Sequence, residues 1–327
     1  MPAASLGHLS DTLAWLAVVS YVAAGALLGF ELAYRAAWAG RAGLALTVGG
    51  WLVNVAAAVT RGLAAHRVPW GNMYEFSIMV GVVTVAAFLV WVRRRREVRP
   101  LGVFVLLPAV LAIAFVGVAL RVPAGPLIPA LNSGWIKIHV VAAIVCSSVL
   151  SLAAIFSILY LIRDHFERRA AAPRPPLVAG GARTADRVHL RETLAAYVEE
   201  EPEVGEQPPA PATGAGPRRL WERLPPARTL DLLAYKTAIF GFPIWTFAVI
   251  AGAIWAQSAW GRYWGWDPKE TWSFIVWVIF AAYLHARATA GWRGRGAAWI
   301  SVAGFAALLV NFYVVNTWIV GLHSYAR

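Results

Sequence analysis

Three histidines and one aromatic loop are the residues of this chain whose types and spacing can do chemistry. His139 sits in SGWIKIHVV, His285 in IFAAYLHAR and His323 in VGLHSY, while the loop reads AQSAWGRYWGWDPKETWSFIVW. Imidazole is the commonest side-chain metal ligand. Trp260, Trp264 and Trp266, with Tyr263, crowd around Gly261 and Gly265. Glycine permits close backbone approach, so such a loop can offer a flat aromatic wall to a planar apolar ligand. Membrane proteins also set Trp and Tyr in belts at headgroup level, and the loop alone leaves both readings open. A lone histidine at a helix end is usually an interfacial polar group, but His139 and His323 fall at the depth of the loop. Two imidazoles beside an aromatic wall form a candidate axial pair for haem iron.

The elements that must position them are membrane spans. Of 327 residues 59% are hydrophobic and only 14% charged, with a mean hydropathy of +0.60. A soluble domain carries about a quarter charged residues, so the composition excludes one. A single Cys excludes a disulfide framework, a thiol-exchange pair and a thiolate zinc site. Runs of about 20 apolar residues predict eight helices, near 12–34, 43–63, 72–92, 101–120, 133–162, 231–256, 268–290 and 297–320. The first lacks a preceding basic residue and is too long for a signal peptide. The predicted fold is an all-α polytopic membrane protein with spans one to five in residues 1–163 and spans six to eight in 229–327. The aromatic loop, about 257–268, joins spans six and seven.

Charge sets the expected orientation. With both termini on the extracytoplasmic side, the inner segments hold twenty-two of the Lys and Arg residues, including Arg93–Arg96, and the outer segments seven. Positive residues collect on the cytoplasmic side. The net charge of +12 therefore reads as a topology map rather than a nucleic-acid footprint.

Residues 164–228 break the pattern with Pro, Gly, Ala and mixed charge, as in RRAAAPRPPLVAGG and PPAPATGAGP. Such a segment buries too little apolar surface to order itself, so it is expected to be a disordered cytoplasmic linker, with room for one short helix over 187–201. His165 and His189 within it have no partner at ligand spacing. Asp267 is placed to cap the seventh span, with Pro268 at its first position and Glu270 three residues after the cap. Asn72 is placed to cap the third span. Glu31, Arg61 and Glu75 are expected to pair across helices or face a cavity, and Cys146 to pack. His285 lies 17 residues beyond Pro268, about 26 Å along a helix, so it belongs near the opposite membrane face. No other span histidine shares its depth; if it binds iron, the second ligand comes from another protein or stays open.

WGRYWGWDPKETWSFIVW, the YLHAR that follows, GLHSY, the upstream Trp135-x-x-x-His139 and NMYE together resemble the WWD-domain haem-handling family, in the version typical of the CcsA (ResC) proteins of system II cytochrome c biogenesis. The system I relatives CcmC and CcmF share a WWD loop with flanking histidines, but the DPKETW continuation is CcsA-like. The resemblance implies that His139 and His323 are axial ligands to haem b held against Trp260, Trp264, Trp266 and Asp267. It implies that His285 receives haem near the cytoplasmic side, with the opposite ligand from a CcsB (ResB) partner. The implied activity is that of the membrane subunit of a holocytochrome c synthase in the bacterial cell membrane, joining haem to the CxxCH motif of apocytochrome c. The absence of a Ser-His-Asp or Cys-His arrangement fits a chain that positions haem rather than supplying a catalytic acid, base or nucleophile. The alternative implied by the relatives is a CcmC-like exporter that hands haem to a separate chaperone or ligase.

Overall fold

A computed structural model describes residues 3–126, 131, 133–171, 217–289 and 291–323. Every regular element among them is helical. Among the described residues eight helices are long and apolar enough to cross a membrane, as the hydropathy predicts, which makes the chain a multi-pass membrane protein. They are α1 (Ala3–Tyr34), α2 (Ala37–Ala65), α3 (Met73–Arg94), α4 (Gly102–Ala119, entered through a 3-10 turn), α5 (Gly134–Ala171), α6 (Ala227–Trp260), α7 (Pro268–Ala288) and α8 (Arg295–Leu309). The last continues through a π turn, Val310–Val314, into Val315–Trp318.

The predicted 164–228 linker is shorter at both ends than the sequence suggests. Helix α5 carries on to Ala171, and a short helix, Pro217–Glu222, precedes α6. The extension is held by Arg163–Glu167 and Arg168–Asp164 pairs at i,i+4. The rest of that segment, with His189 and the expected helix at 187–201, lies outside the described residues.

One end of the bundle is tied together by charge. Arg61 and Glu75, predicted to pair, do so at 3.1 Å and are almost wholly buried. Arg67 joins the same carboxylate at 2.7 Å, and Asp11 of α1 bonds Tyr74 and Arg121. Asn72 caps α3 by accepting the Glu75 N–H. Through Asp11, Tyr74 and Met73, whose sulfur accepts from Asn316, the start of α1 shares an end with the close of α8 and with the aromatic loop. Glu31, the third predicted partner, pairs with Arg99 toward the other end.

The apolar core around the future site joins α3, α5, α6, α7 and α8. Phe76, Cys146, Leu150, Trp245, Ala248, Phe280 and Phe312 pack there, and Cys146 is fully buried as a packing residue. Phe76 stacks on Phe312 at 4.6 Å.

Candidate haem-iron ligand site

The loop between α6 and α7 is shaped from both sides. Gly261, at φ 70°, ends α6 in a left-handed cap. At the other end Asp267 forms the predicted capping box with Glu270. Glu270 Oε2 accepts the N–H groups of Gly265 and Asp267, at 2.7 and 3.1 Å. Between them Trp266 is forced to φ 58°, a left-handed conformation costing roughly 1–2 kcal/mol for a bulky residue. Glu270, together with the Thr271 hydroxyl on the Trp266 carbonyl, holds that turn.

His139 and His323 meet at this loop. Both line a narrow cleft with Trp245, Trp255, Trp260 and Trp264. A second cleft on the α3 side is lined by the same two histidines together with Met73 and Phe76. The clefts measure about 80 and 100 Å³. The two share His139, Trp255, Lys269, Phe312 and His323, so a ligand reaching both would lie against both imidazoles.

Each imidazole is oriented through Nδ1. In His139 that atom stands 2.7 Å from the Ala248 carbonyl oxygen. A carbonyl only accepts, so Nδ1 carries the proton and Nε2 the lone pair. The approach depends on Gly252, where a Cβ would sit 2.8 Å from the His139 ring nitrogen. In His323 the Nδ1 stands 2.8 Å from Asp267 Oδ2, again leaving the lone pair on Nε2. Histidines that ligate metals commonly present this arrangement, one nitrogen anchored by an oxygen and the other directed to the metal.

Asp267 therefore has two tasks. Besides capping α7, its Oδ1 accepts the Leu322 N–H at 2.8 Å. Burial works to raise its carboxyl, but the bonds from His323 and Leu322 outweigh it and hold the group down at about 2. Burial lowers the basicity of His323, with the Asp267 bond opposing, so its neutral form is favoured. A neutral ring is the form that binds iron.

Several residues of the site escape the sequence reading. Trp255 stands 4.8 Å from Trp260 and 5.9 Å from His323, centroid to centroid. Lys269 reaches into both clefts, donates to the Asn311 carbonyl and the Asn316 side chain, and lies 4.7 Å over Phe312. The accepting carbonyl belongs to the π turn of α8, and such turns often mark functional positions. Two buried oxygens of residues lining the first cleft, Glu270 Oε1 and Asn311 Oδ1, have no donor among the described residues. The legible signals were Trp255 one and a half turns before Trp260, and a lysine in the first turn of a span.

Of the predicted site residues, His139, His323, Trp260 and Trp264 line the cleft, and Asp267 stands directly behind His323. Trp266 is turned outward and 64% exposed, edge-on to Trp264 at 5.7 Å. His285 is exposed in the last turn of α7, at the opposite end of the bundle.

Among the described residues no group of three His, Cys, Asp or Glu could hold a bare metal ion. Two imidazoles on one cleft suit a metal that brings its other ligands with it, as haem iron brings four porphyrin nitrogens. Residues 70–323, from the start of the second cleft to His323, match the family described as Cytochrome C assembly protein. The chain belongs to the cytochrome c assembly protein family. Its relatives include the cytochrome c biogenesis protein CcsA of Synechococcus sp. (strain JA-2-3B'a(2-13)), 34% identical over 96% of this chain and 95% of that protein. The CcsA of Gloeobacter violaceus is 36% identical over 84% and 83%, and that of the alga Porphyra purpurea 34% identical over 84% of each. Among solved structures, cytochrome c heme lyase CcmF shares the fold with a TM-score of 0.60 at 16% identity. The match covers 96% of this chain, which spans about half, 47%, of that one. The family match leaves out α1 and α2, and neither of those two spans contributes a residue to the lining of the two clefts.

Proposed function

We propose that this cytochrome c assembly protein is the membrane subunit of a system II cytochrome c synthase, which carries haem b across the membrane and presents it between His139 and His323. The observation that carries the reading is the convergence of two Nδ1-anchored imidazoles on one aromatic-walled pair of clefts. The excess of Lys and Arg in the opposite segments supports an extracytoplasmic position for this end of the bundle, in a bacterial cell membrane. Thiols are consumed there, and this chain has only the buried Cys146, so they come from the CxxCH motif of the apocytochrome.

Haem is apolar and carries two anionic propionates, so its passage requires aromatic shielding and cationic contacts. The exposed His285 is suited to receive it at the inner end, where a CcsB (ResB) partner provides the opposite ligand. At the outer end, ligation on both faces restrains exchange and oxygen chemistry before delivery. The apocytochrome histidine then replaces one of the two ligands. Each cysteine thiol adds across one vinyl C=C: a carbon–sulfur bond forms, the S–H proton ends on the neighbouring carbon, and nothing is released. The chain contributes positioning and containment, while the bond chemistry belongs to haem and thiol.

The test is co-expression of His139→Ala and His323→Ala with the partner. Each variant is expected to lose the wild-type bound-haem spectrum and cytochrome c maturation. Wild-type spectra and maturation in both would sink the proposal. Purified complex that binds haem but attaches none to apocytochrome without a further factor would favour the exporter reading instead.

A further inference from the structure

At the end of the bundle opposite the aromatic loop, α3 and α6 form the walls of a trough whose floor is α5. It encloses about 590 Å³, within the range of ligand-sized clefts, about 300–1,000 Å³. Val149 and Leu152 of the floor are buried, while Val90, Leu232 and Phe240 on the walls are 53, 45 and 63% exposed, so the trough opens sideways toward the membrane. Two cations stand in it without partners. Arg94 at the close of α3 and Lys236 of α6 make no side-chain hydrogen bond or ion pair among the described residues, whereas Arg95 beside them pairs with Glu97. A lipid-facing lysine within a span is costly unless its ammonium finds an anion or snorkels to the interface.

We propose that this trough binds one anionic phospholipid, its phosphate between Arg94 and Lys236 and its acyl chains along Val90, Leu232 and Phe240. Basic pockets between spans on the positive side of a membrane recognise such headgroups. The lipid bridges α3 and α6. At their other ends these helices carry Met73 and Phe76, and Gly252 and Trp260, so the bridge also steadies the frame of the two clefts.

Delipidated wild-type chain in detergent is titrated with phosphatidylglycerol or phosphatidylcholine, read by native mass spectrometry and melting temperature. One phosphatidylglycerol per chain is expected, bound about tenfold more tightly than phosphatidylcholine and raising the melting temperature. The Arg94→Gln/Lys236→Gln pair is expected to bring phosphatidylglycerol down to the phosphatidylcholine level. Leu232→Trp fills the trough while leaving both charges in place, and it is expected to exclude the lipid. Equal binding of the two lipids by wild type overturns the proposal, as does full phosphatidylglycerol binding by Leu232→Trp or by the double variant. Loss of haem absorbance from the double variant with lipid binding unchanged overturns it too, and would mark the trough as a haem site.

Discussion

Oδ2 of Asp267 stands 2.8 Å from Nδ1 of His323, while Oδ1 of the same carboxylate accepts the Leu322 N–H at 2.8 Å. One side chain thus starts a membrane span and fixes the segment that follows the last one. Gly321 makes the approach possible, since a Cβ there would lie 2.8 Å from Oδ1. Asparagine caps helices as well as aspartate does. Asp267→Asn is therefore expected to leave thermal stability within about 1 kcal/mol of wild type. Haem retention is expected to fall about 10–100-fold, the usual cost of losing the group that anchors a ligating histidine. Haem absorbance per protein, measured beside a melting curve, separates the two effects.

Gly252 gives a complementary test. Alanine in a helix interior is favoured over glycine by about 0.8–1.0 kcal/mol, so on propensity alone Gly252→Ala would stabilise α6. Its Cβ would press on His139, and the ring must move to accommodate it. The expected outcome is folded protein at wild-type yield with the His139-dependent part of the haem spectrum lost.

Lys269 places an amino group beside both clefts, a cation when protonated. A positive charge near haem favours the ferrous state, and across a partly buried gap the interaction is of order 1 kcal/mol. Lys269→Gln is expected to lower the haem midpoint potential by tens of millivolts, read by spectroelectrochemistry. An unchanged potential would leave Lys269 with only its packing and hydrogen-bonding role over Phe312.

Glu75 has no exposure and neutralises Arg61, which is 1% exposed. Removing one partner of a buried pair typically costs about 3–5 kcal/mol because the other charge is left uncompensated. Glu75→Gln should lower the melting temperature sharply, and Arg61→Met/Glu75→Gln should recover part of the loss.

His285 lies far from the two clefts, so its loss should affect supply rather than retention. In His285→Ala, haem bound in cells is expected to fall, while haemin added to the purified complex restores the His139 and His323 spectrum. Failure of added haemin to restore it would show that His285 supports the distant site directly.

The features readable from the sequence are those that local physics dictates. The spans follow from apolar runs, and the caps at Asn72 and Asp267 follow from residue types within three positions of each helix start. His139 and His323 could be assigned one depth, because depth is only a count along a helix. The partners of those histidines could not be read. Ala248 is 109 residues from His139, and Asp267 is 56 from His323. A glycine such as Gly252 looks the same whether it loosens a helix or admits a ring. The π turn at Val310–Val314 carries no composition signal, although it contains the carbonyl that accepts from Lys269. Sequence proximity places Trp266 with its neighbours, and its ring does stay edge-on to Trp264, but it lines neither cleft and is largely exposed.

The two histidines are mechanically unequal. His139 is a rung of a long helix, wedged against a neighbouring helix, and shifting it means shifting the bundle. His323 lies past the last span, latched by the Asp267 carboxylate and flanked edge-on by Trp255 and Trp260. If the two are the haem ligands proposed above, one is a fixed post and the other a latched gate toward an incoming substrate histidine. On the proposed function, that gate opens by breaking the Asp267–His323 hydrogen bond and the contacts with Trp255 and Trp260 while every helix stays in place, so an incoming histidine is expected to displace His323 and leave His139 holding the porphyrin.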